Sequence, residues 1–215
     1  MSQTVNRSYE KKLKKPRIAP SWEDGLKLLD NVPHGYGWEI DILRNKLLVR
    51  LMLFQGLRVG ELVGSYDRRH GSLEPLKIGD IDFERRIITL RGKGDKVAEV
   101  FLDSETLEML QKYVNYISRW GKKLVIKPEK QIFNITTRQV HRIVKQSAHK
   151  AGLENADRFS PHVLRALSIT RMLHEKDLAR AKIHARHSSI QTTVIYDRPD
   201  QAVKRKDFID VFEKS

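Results

Sequence analysis

LKIGDIDFERRIITLRGKGDKVAEVFLD, residues 76–103, is the stretch whose reading decides the fold. Ile87, Ile88, Thr89 and Leu90 form a largely β-branched apolar run, Gly92 and Gly94 follow, and Val97, Val100 and Phe101 come next. β-Branched side chains suit a pleated surface and glycine suits a tight turn, so the stretch predicts a small antiparallel sheet with a glycine-flanked turn. The pattern on either side is helical. From Ile42 to Leu57 apolar residues crowd densely enough for a buried helix that ends around Gly56, and a second segment, residues 61–63, carries straight on. Leu107, Leu110, Tyr113, Val114 and Ile117 recur at helical spacing, and Thr136 with Gln139 makes a capping box ahead of Val140, Ile143 and Val144. Ser21 with Asp24 opens a helix after Pro20, and Ser160 followed by Pro161 supplies an N-cap and a first-turn proline. The predicted fold class is mainly α with a small antiparallel β-sheet.

A chain of 215 residues suits one sizeable core plus tails. Residues 1–20 read as a basic arm or linker, carrying Arg7, Lys11, Lys12, Lys14, Lys15 and Arg17 with few apolar residues. Residues 21–200 read as the folded domain. The tail, 201–215, is charged but holds Phe208, Ile209, Val211 and Phe212, an apolar stripe that would want a partner. Lys and Arg outnumber Asp and Glu by 41 to 27, a formal +14, and the pI is near 10. That balance is the footprint of a protein that sits on a polyanion, although a solvated basic surface shares it. The absence of cysteine excludes disulfides, thiolate metal sites and a cysteine nucleophile. The longest apolar run, residues 47–57, is broken by Arg50, Gln55 and Gly56, far short of the roughly 18 residues of a membrane span. A soluble, cytoplasmic, DNA-associated protein is expected.

Four clusters can carry chemistry, each bland when taken alone. His162 and Arg165 lie three residues apart in the first turns of the Ser160-capped helix, where the helix dipole favours an anion and an arginine forks onto two phosphate oxygens; the ordinary reading is a solvated helix end. FQGLRVGELVG, residues 54–64, sets Arg58 in a glycine-flanked turn, with Glu61 placed to orient its guanidinium. Lys93 sits in the middle of the turn between two strands, and Lys96 on its far side is a rival that spacing cannot separate from it. In ARHSSIQTTVIYDRP, residues 185–199, His187 precedes Tyr196, a phenol that neighbouring cations can make nucleophilic toward phosphorus.

Taken together, GLRVGEL, GKGDK in a strand hairpin, PHVLR and ARHSSIQTTVIY, in this order and at these separations, resemble the catalytic domain of the tyrosine recombinase (phage integrase) family across about residues 40–198. The resemblance implies that Arg58 and Arg165 clamp the scissile phosphate with His162 beside them, and that Tyr196 is the nucleophile. Lys93 would be the general acid for the 5′-hydroxyl, and His187 would support the phosphate. It further implies double-stranded DNA as partner, site-specific recombination through a 3′-phosphotyrosine, no cofactor and no metal. A homotetramer on DNA, monomeric when free, would dock through residues 201–215. Five basic groups and a phenol stabilise an anionic transition state by electrostatics.

Three departures stand out. Arg186 replaces the glycine usual before the second histidine, which leaves His184 as a weaker rival to His187; Ala166 stands where a histidine commonly follows Arg165; and some 20 basic residues cannot form the N-terminal DNA-clamping domain usual in the family. A type IB topoisomerase shares the same chemistry, and a DNA-binding protein that has lost catalysis would share the fold. Asp80 with Asp82, and His184 with His187, hint at a metal site, but turn chemistry explains the first pair and the second lacks a third ligand.

Overall fold

Ser21 opens α1 (Trp22–Asp30) by the reciprocal bonds its sequence predicts: its hydroxyl accepts from the Asp24 amide at 3.1 Å, and the Asp24 carboxylate accepts from the Ser21 amide at 2.9 Å. The computed structural model describes residues 20–34, 39–67, 71–91, 97–120 and 123–186. α2 (Glu39–Leu53) is the central element, because Leu47 to Leu53 are buried without interruption, and a helix end buried on every face must be covered on every side. α1 and the later helices α4 (Ser104–Ile117), α5 (Thr137–Lys150) and α6 (Pro161–Glu175) supply that cover.

The end of α2 sets the course of the chain into the next helix. The Phe54 amide still bonds the Arg50 carbonyl at 2.8 Å, the Leu57 amide turns back to the Leu51 carbonyl at 3.2 Å, and Gly56 takes φ 61°. That left-handed conformation carries no side-chain penalty at glycine, so the helix closes here. The expectation that residues 61–63 carry straight on is corrected: α3 (Val59–Val63) starts afresh after a turn, with Arg58 at its N-cap.

After α3 comes a short hairpin, β1 (Ser65–Asp67) with β2 (Gly71–Leu73), and then the main sheet. Its strands β3 (Ile81–Asp82), β4 (Ile87–Arg91) and β5 (Val97–Phe101) are antiparallel in the order β3-β4-β5, with Ile81 opposite Ile88 and Ile88 opposite Val100. The sequence read β4 and β5 correctly and missed β3, which is too short to show alternation. Asp80 and Asp82 are the turn residues anticipated, accepting from the amides of Lys77 at 2.9 Å and Arg85 at 2.8 Å.

The rest is helical apart from a second short hairpin, β6 (Arg119–Trp120) with β7 (Lys123–Leu124). α4 (Ser104–Ile117) is capped by Asp103, and α5 (Thr137–Lys150) by Thr136 with Gln139 in the predicted capping box. α6 (Pro161–Glu175) follows Ser160, whose hydroxyl accepts from the Val163 amide at 3.4 Å, and α7 (Leu178–Ala185) is capped by Asp177. Phe133 and Phe159 are the largest fully buried side chains of a core shared by α1 to α6 and the sheet, while α7 docks on α6 through Ile169, Ala181 and Ala185. Among the described residues no helix is long and apolar enough to cross a membrane.

One buried charge braces α2 against α4. Arg50, 6% exposed, donates from Nε to the Thr106 hydroxyl at 2.7 Å and from Nη2 to Asp103 Oδ1 at 2.7 Å, while its guanidinium lies 4.2 Å from the Phe54 ring centroid. Gln55 Nε2 donates to the other Asp103 oxygen at 2.8 Å. Burial raises the Asp103 carboxyl, but bonds from Thr106, Arg50 and Gln55 outweigh it and hold it at about 2. Replacing Arg50 by Met strands part of this network, and the partly exposed carboxylate limits the loss. Urea unfolding of Arg50→Met is expected to show a stability loss of about 2–3 kcal/mol; an unchanged midpoint would mean that Arg50 contributes only packing.

Candidate active site

Arg165 projects from the early turns of α6 into the interior and is 3% exposed. Its Nη1 donates to the Gly56 carbonyl and its Nη2 to the Ala185 carbonyl. Ala185 is the last residue of α7, so the guanidinium meets a helix C-terminus, where carbonyls lack intrahelical partners and the dipole favours a cation. A single side chain thereby joins the turn after α2, α6 and the end of α7.

Arg58 reaches the same region from the N-cap of α3. Glu61 holds it twice, accepting from its backbone amide at 2.6 Å through Oε2 and from its Nη1 at 2.8 Å through Oε1. Glu61 is sheltered, at 13% side-chain exposure, whereas Arg58 keeps 46%. The structure thus places Glu61 in contact with Arg58, as their spacing suggested. His162, one turn before Arg165, is exposed.

Arg186 is the residue whose place the sequence did not disclose. It ends α7 with φ 55° and ψ 39°, the left-handed conformation that glycine adopts most easily, which accounts for a glycine being the usual occupant there. Its side chain folds inward: Nη2 donates to Glu61 Oε2 at 2.9 Å and to the Gly56 carbonyl at 3.1 Å, and Nη1 to the His184 carbonyl at 3.2 Å. Burial lowers its pKa, Glu61 opposes that and Arg58 adds to it, yet a guanidinium stays protonated in a protein. The only advance signal was the exchange of glycine for arginine.

His184 is half-buried against the same turn. Its Nε2 shares a 2.7 Å hydrogen bond with the Ser168 hydroxyl, which also donates to the Phe54 carbonyl at 3.3 Å. A Cβ on Gly56 would stand 3.1 Å from His184 Nε2 and 3.3 Å from Ser168 Oγ, so both φ and space demand glycine. Desolvation, with the charges of Arg186 and Arg165, lowers the His184 pKa to about 4 and keeps the ring neutral at pH 7. That suits a wedge behind the turn better than a phosphate ligand.

The structure thus gathers Arg58, Glu61, Arg165 and Arg186 around Gly56. Lys93, Lys96, His187, Tyr196 and the arm residues Lys11, Lys12, Lys14, Lys15 and Arg17 lie outside the described residues, as does the tail 201–215. Among the described residues no three His, Asp or Glu side chains are grouped to hold a metal ion.

Residues 24–202 match the model of the phage integrase family. A XerC tyrosine recombinase of Corynebacterium efficiens is 32% identical over 165 residues, covering 74% of this chain and 47% of the relative. A XerC of Thermodesulfovibrio yellowstonii is 32% identical over 201 residues, covering 90% and 60%. The chain thus spans about half the length of the relatives it matches. Among solved structures, XerA recombinase superposes with a TM-score of 0.66 at 24% identity, covering 93% of this chain and 66% of that one. XerH recombinase in a post-cleavage complex with palindromic difH superposes with a TM-score of 0.68 at 23% identity, covering 95% and 55%. These likenesses show the fold.

A base whose folded pKa is depressed withdraws stability as it is forced to protonate. His184 leaves stability unchanged above its ordinary value near 6.5 and subtracts from it as pH falls from there toward about 4. Over that span the loss is on the order of 3 kcal/mol, at about 1.4 kcal/mol per unit. Denaturant unfolding at successive pH values is expected to show this decline in the parent and a shallower one in His184→Gln; Asp103, lowered to about 2, acts only below pH 4 and does not confuse the window.

Proposed function

This chain belongs to the phage integrase family, and from that membership we propose that residues 21–200 form a catalytic domain that cuts and rejoins double-stranded DNA through Tyr196, in site-specific recombination. The observation that carries the reading is that Arg165, from an element remote in sequence, donates to the Gly56 carbonyl in the same turn that leads into Arg58, whose guanidinium Glu61 holds. Two guanidinium groups held by a carboxylate and by backbone carbonyls are preorganised, so they need no rearrangement as charge builds on a phosphoryl oxygen.

The reaction runs as a transesterification. The Tyr196 oxygen attacks phosphorus as its phenolic proton departs, with His162 as the proton-handling group in the exposed first turn of α6. The bond from phosphorus to the 5′-oxygen breaks, Lys93 protonates that oxygen, and the 3′-phosphate remains on Tyr196. Attack by a 5′-hydroxyl of a partner strand reverses these steps and releases the tyrosine. One phosphoester replaces another at each stage, so no nucleotide is consumed. Arg58 and Arg165 neutralise the non-bridging oxygens, and His187 supports the phosphate. The basic arm, residues 1–20, with Lys11, Lys12, Lys14, Lys15 and Arg17, and Lys96 between β4 and β5 in sequence add DNA-backbone contacts whose strength falls with salt. Joining two duplexes calls for four protomers, and the apolar stripe of residues 201–215 is the segment assigned to docking a neighbour.

Incubation in EDTA with a pool of nicked duplexes of randomised sequence is expected to yield an SDS-resistant protein–DNA adduct. Tyr196→Phe should give none, and Arg58→Ala should slow adduct formation by about 10²–10³-fold. Adduct from Tyr196→Phe, or no adduct from parent protein that binds the duplexes, would reject the assignment. Joined strands from two duplexes, as against relaxed supercoils, separate a recombinase from a topoisomerase.

A further inference from the structure

Glu61 is one carboxylate between two guanidinium groups. Its Oε1 serves Arg58 Nη1 at 2.8 Å, and its Oε2 serves both the Arg58 amide at 2.6 Å and Arg186 Nη2 at 2.9 Å. The two arginines are not equivalent. Arg186 is enclosed, at 12% side-chain exposure, and is tied to the Gly56 and His184 carbonyls as well; Arg58 remains 46% exposed, and Glu61 accepts its guanidinium from one side only. An anion that arrives from solvent therefore meets Arg58 while Arg186 stays behind Glu61.

We propose that Arg186 is a positioning residue that takes up the charge of Glu61 and so leaves the Arg58 guanidinium to a phosphate. A carboxylate paired with Arg58 alone would orient it and also neutralise it, weakening its pull on an incoming anion. With Arg186 as the permanent counter-ion, Glu61 keeps its orienting bonds and the Arg58–Glu61–Arg186 group retains one net positive charge. The geometry favours this over a direct ligand role for Arg186, because its described donors point to Glu61 and to backbone carbonyls. A backbone in the left-handed region, unfavourable for arginine, is held in exchange for these bonds. The inference rests on the reading of Arg58 as a phosphate ligand.

The test follows the Arg58 Nε–H signal of ¹⁵N-labelled protein, assigned through Arg58→Lys, during titration with inorganic phosphate. Arg186→Gln is expected to raise the midpoint about tenfold, the size of effect a sheltered charge pair supports. The double variant Glu61→Gln with Arg186→Gln removes the carboxylate as well and should return the midpoint to within about threefold of the parent, since no charge remains to be taken up. A merely structural arginine would not be rescued by a second substitution in its own cluster. Arg186→Gly, which accepts φ 55° without strain, repeats the measurement with the backbone strain at that position removed. Equal midpoints in parent and Arg186→Gln, a double variant no better than the single, or a parent signal that ignores phosphate would each overturn the proposal. Adduct formation by the parent is scored separately: its absence counts against the recombinase reading, whereas the phosphate midpoints decide the role of Arg186.

Discussion

The carbonyl oxygen of Gly56 is the point on which the candidate site depends. It accepts from Arg165 on α6 and from Arg186 at the end of α7, and it is presented by a turn that only a residue at φ 61° can close. A carbonyl has two lone pairs, and here both are used by guanidinium donors. The turn also lifts Arg58 out of the axis of α2 and starts α3, so the same backbone choice ends one helix, begins another and anchors two charged side chains. Behind it, Ser168 and His184 fill the space that a Cβ at position 56 would need.

Among the described residues Arg50 and Arg165 are buried and Arg186 is largely enclosed, and their partners give each a separate task. Arg50 faces Asp103 and Thr106 and binds α2 to the start of α4, where the ion pair, the cap and the Phe54 ring form one structural unit. Arg165 spends at least two of its donors on backbone carbonyls, which fix its direction without supplying a full negative charge. Arg186 shares a carboxylate with Arg58. A sheltered cation costs free energy wherever it is placed, and here backbone carbonyls and the Glu61 carboxylate offset that cost for Arg165 and Arg186 beside the more exposed Arg58.

Much of this was legible beforehand, for reasons of range. The caps at Ser21, Thr136 and Ser160 and the β4–β5 pair depend on residues a few positions apart, and each was read correctly. The two-residue strand β3 was missed, since two residues carry no period. Arg58, Glu61 and Arg165 were legible as motif residues, while Arg186 registered only as a departure from an expected glycine. What a departure means depends on the groups that surround it, and those lie in the turn after α2 and on α3.

The sequence by itself determined where helices start, which segment pairs as strands and which residue types were available for phosphate chemistry, because capping, alternation and glycine's conformational freedom act over about four residues or fewer. Only the tertiary structure decided that Arg165 and Arg186 share one carbonyl, that Arg58 and Arg186 share one carboxylate, and that His184 packs behind the turn against Ser168. Those outcomes depend on how α2, α6 and α7 pack, since hydrogen bonds and desolvation are set by distances that no local pattern encodes.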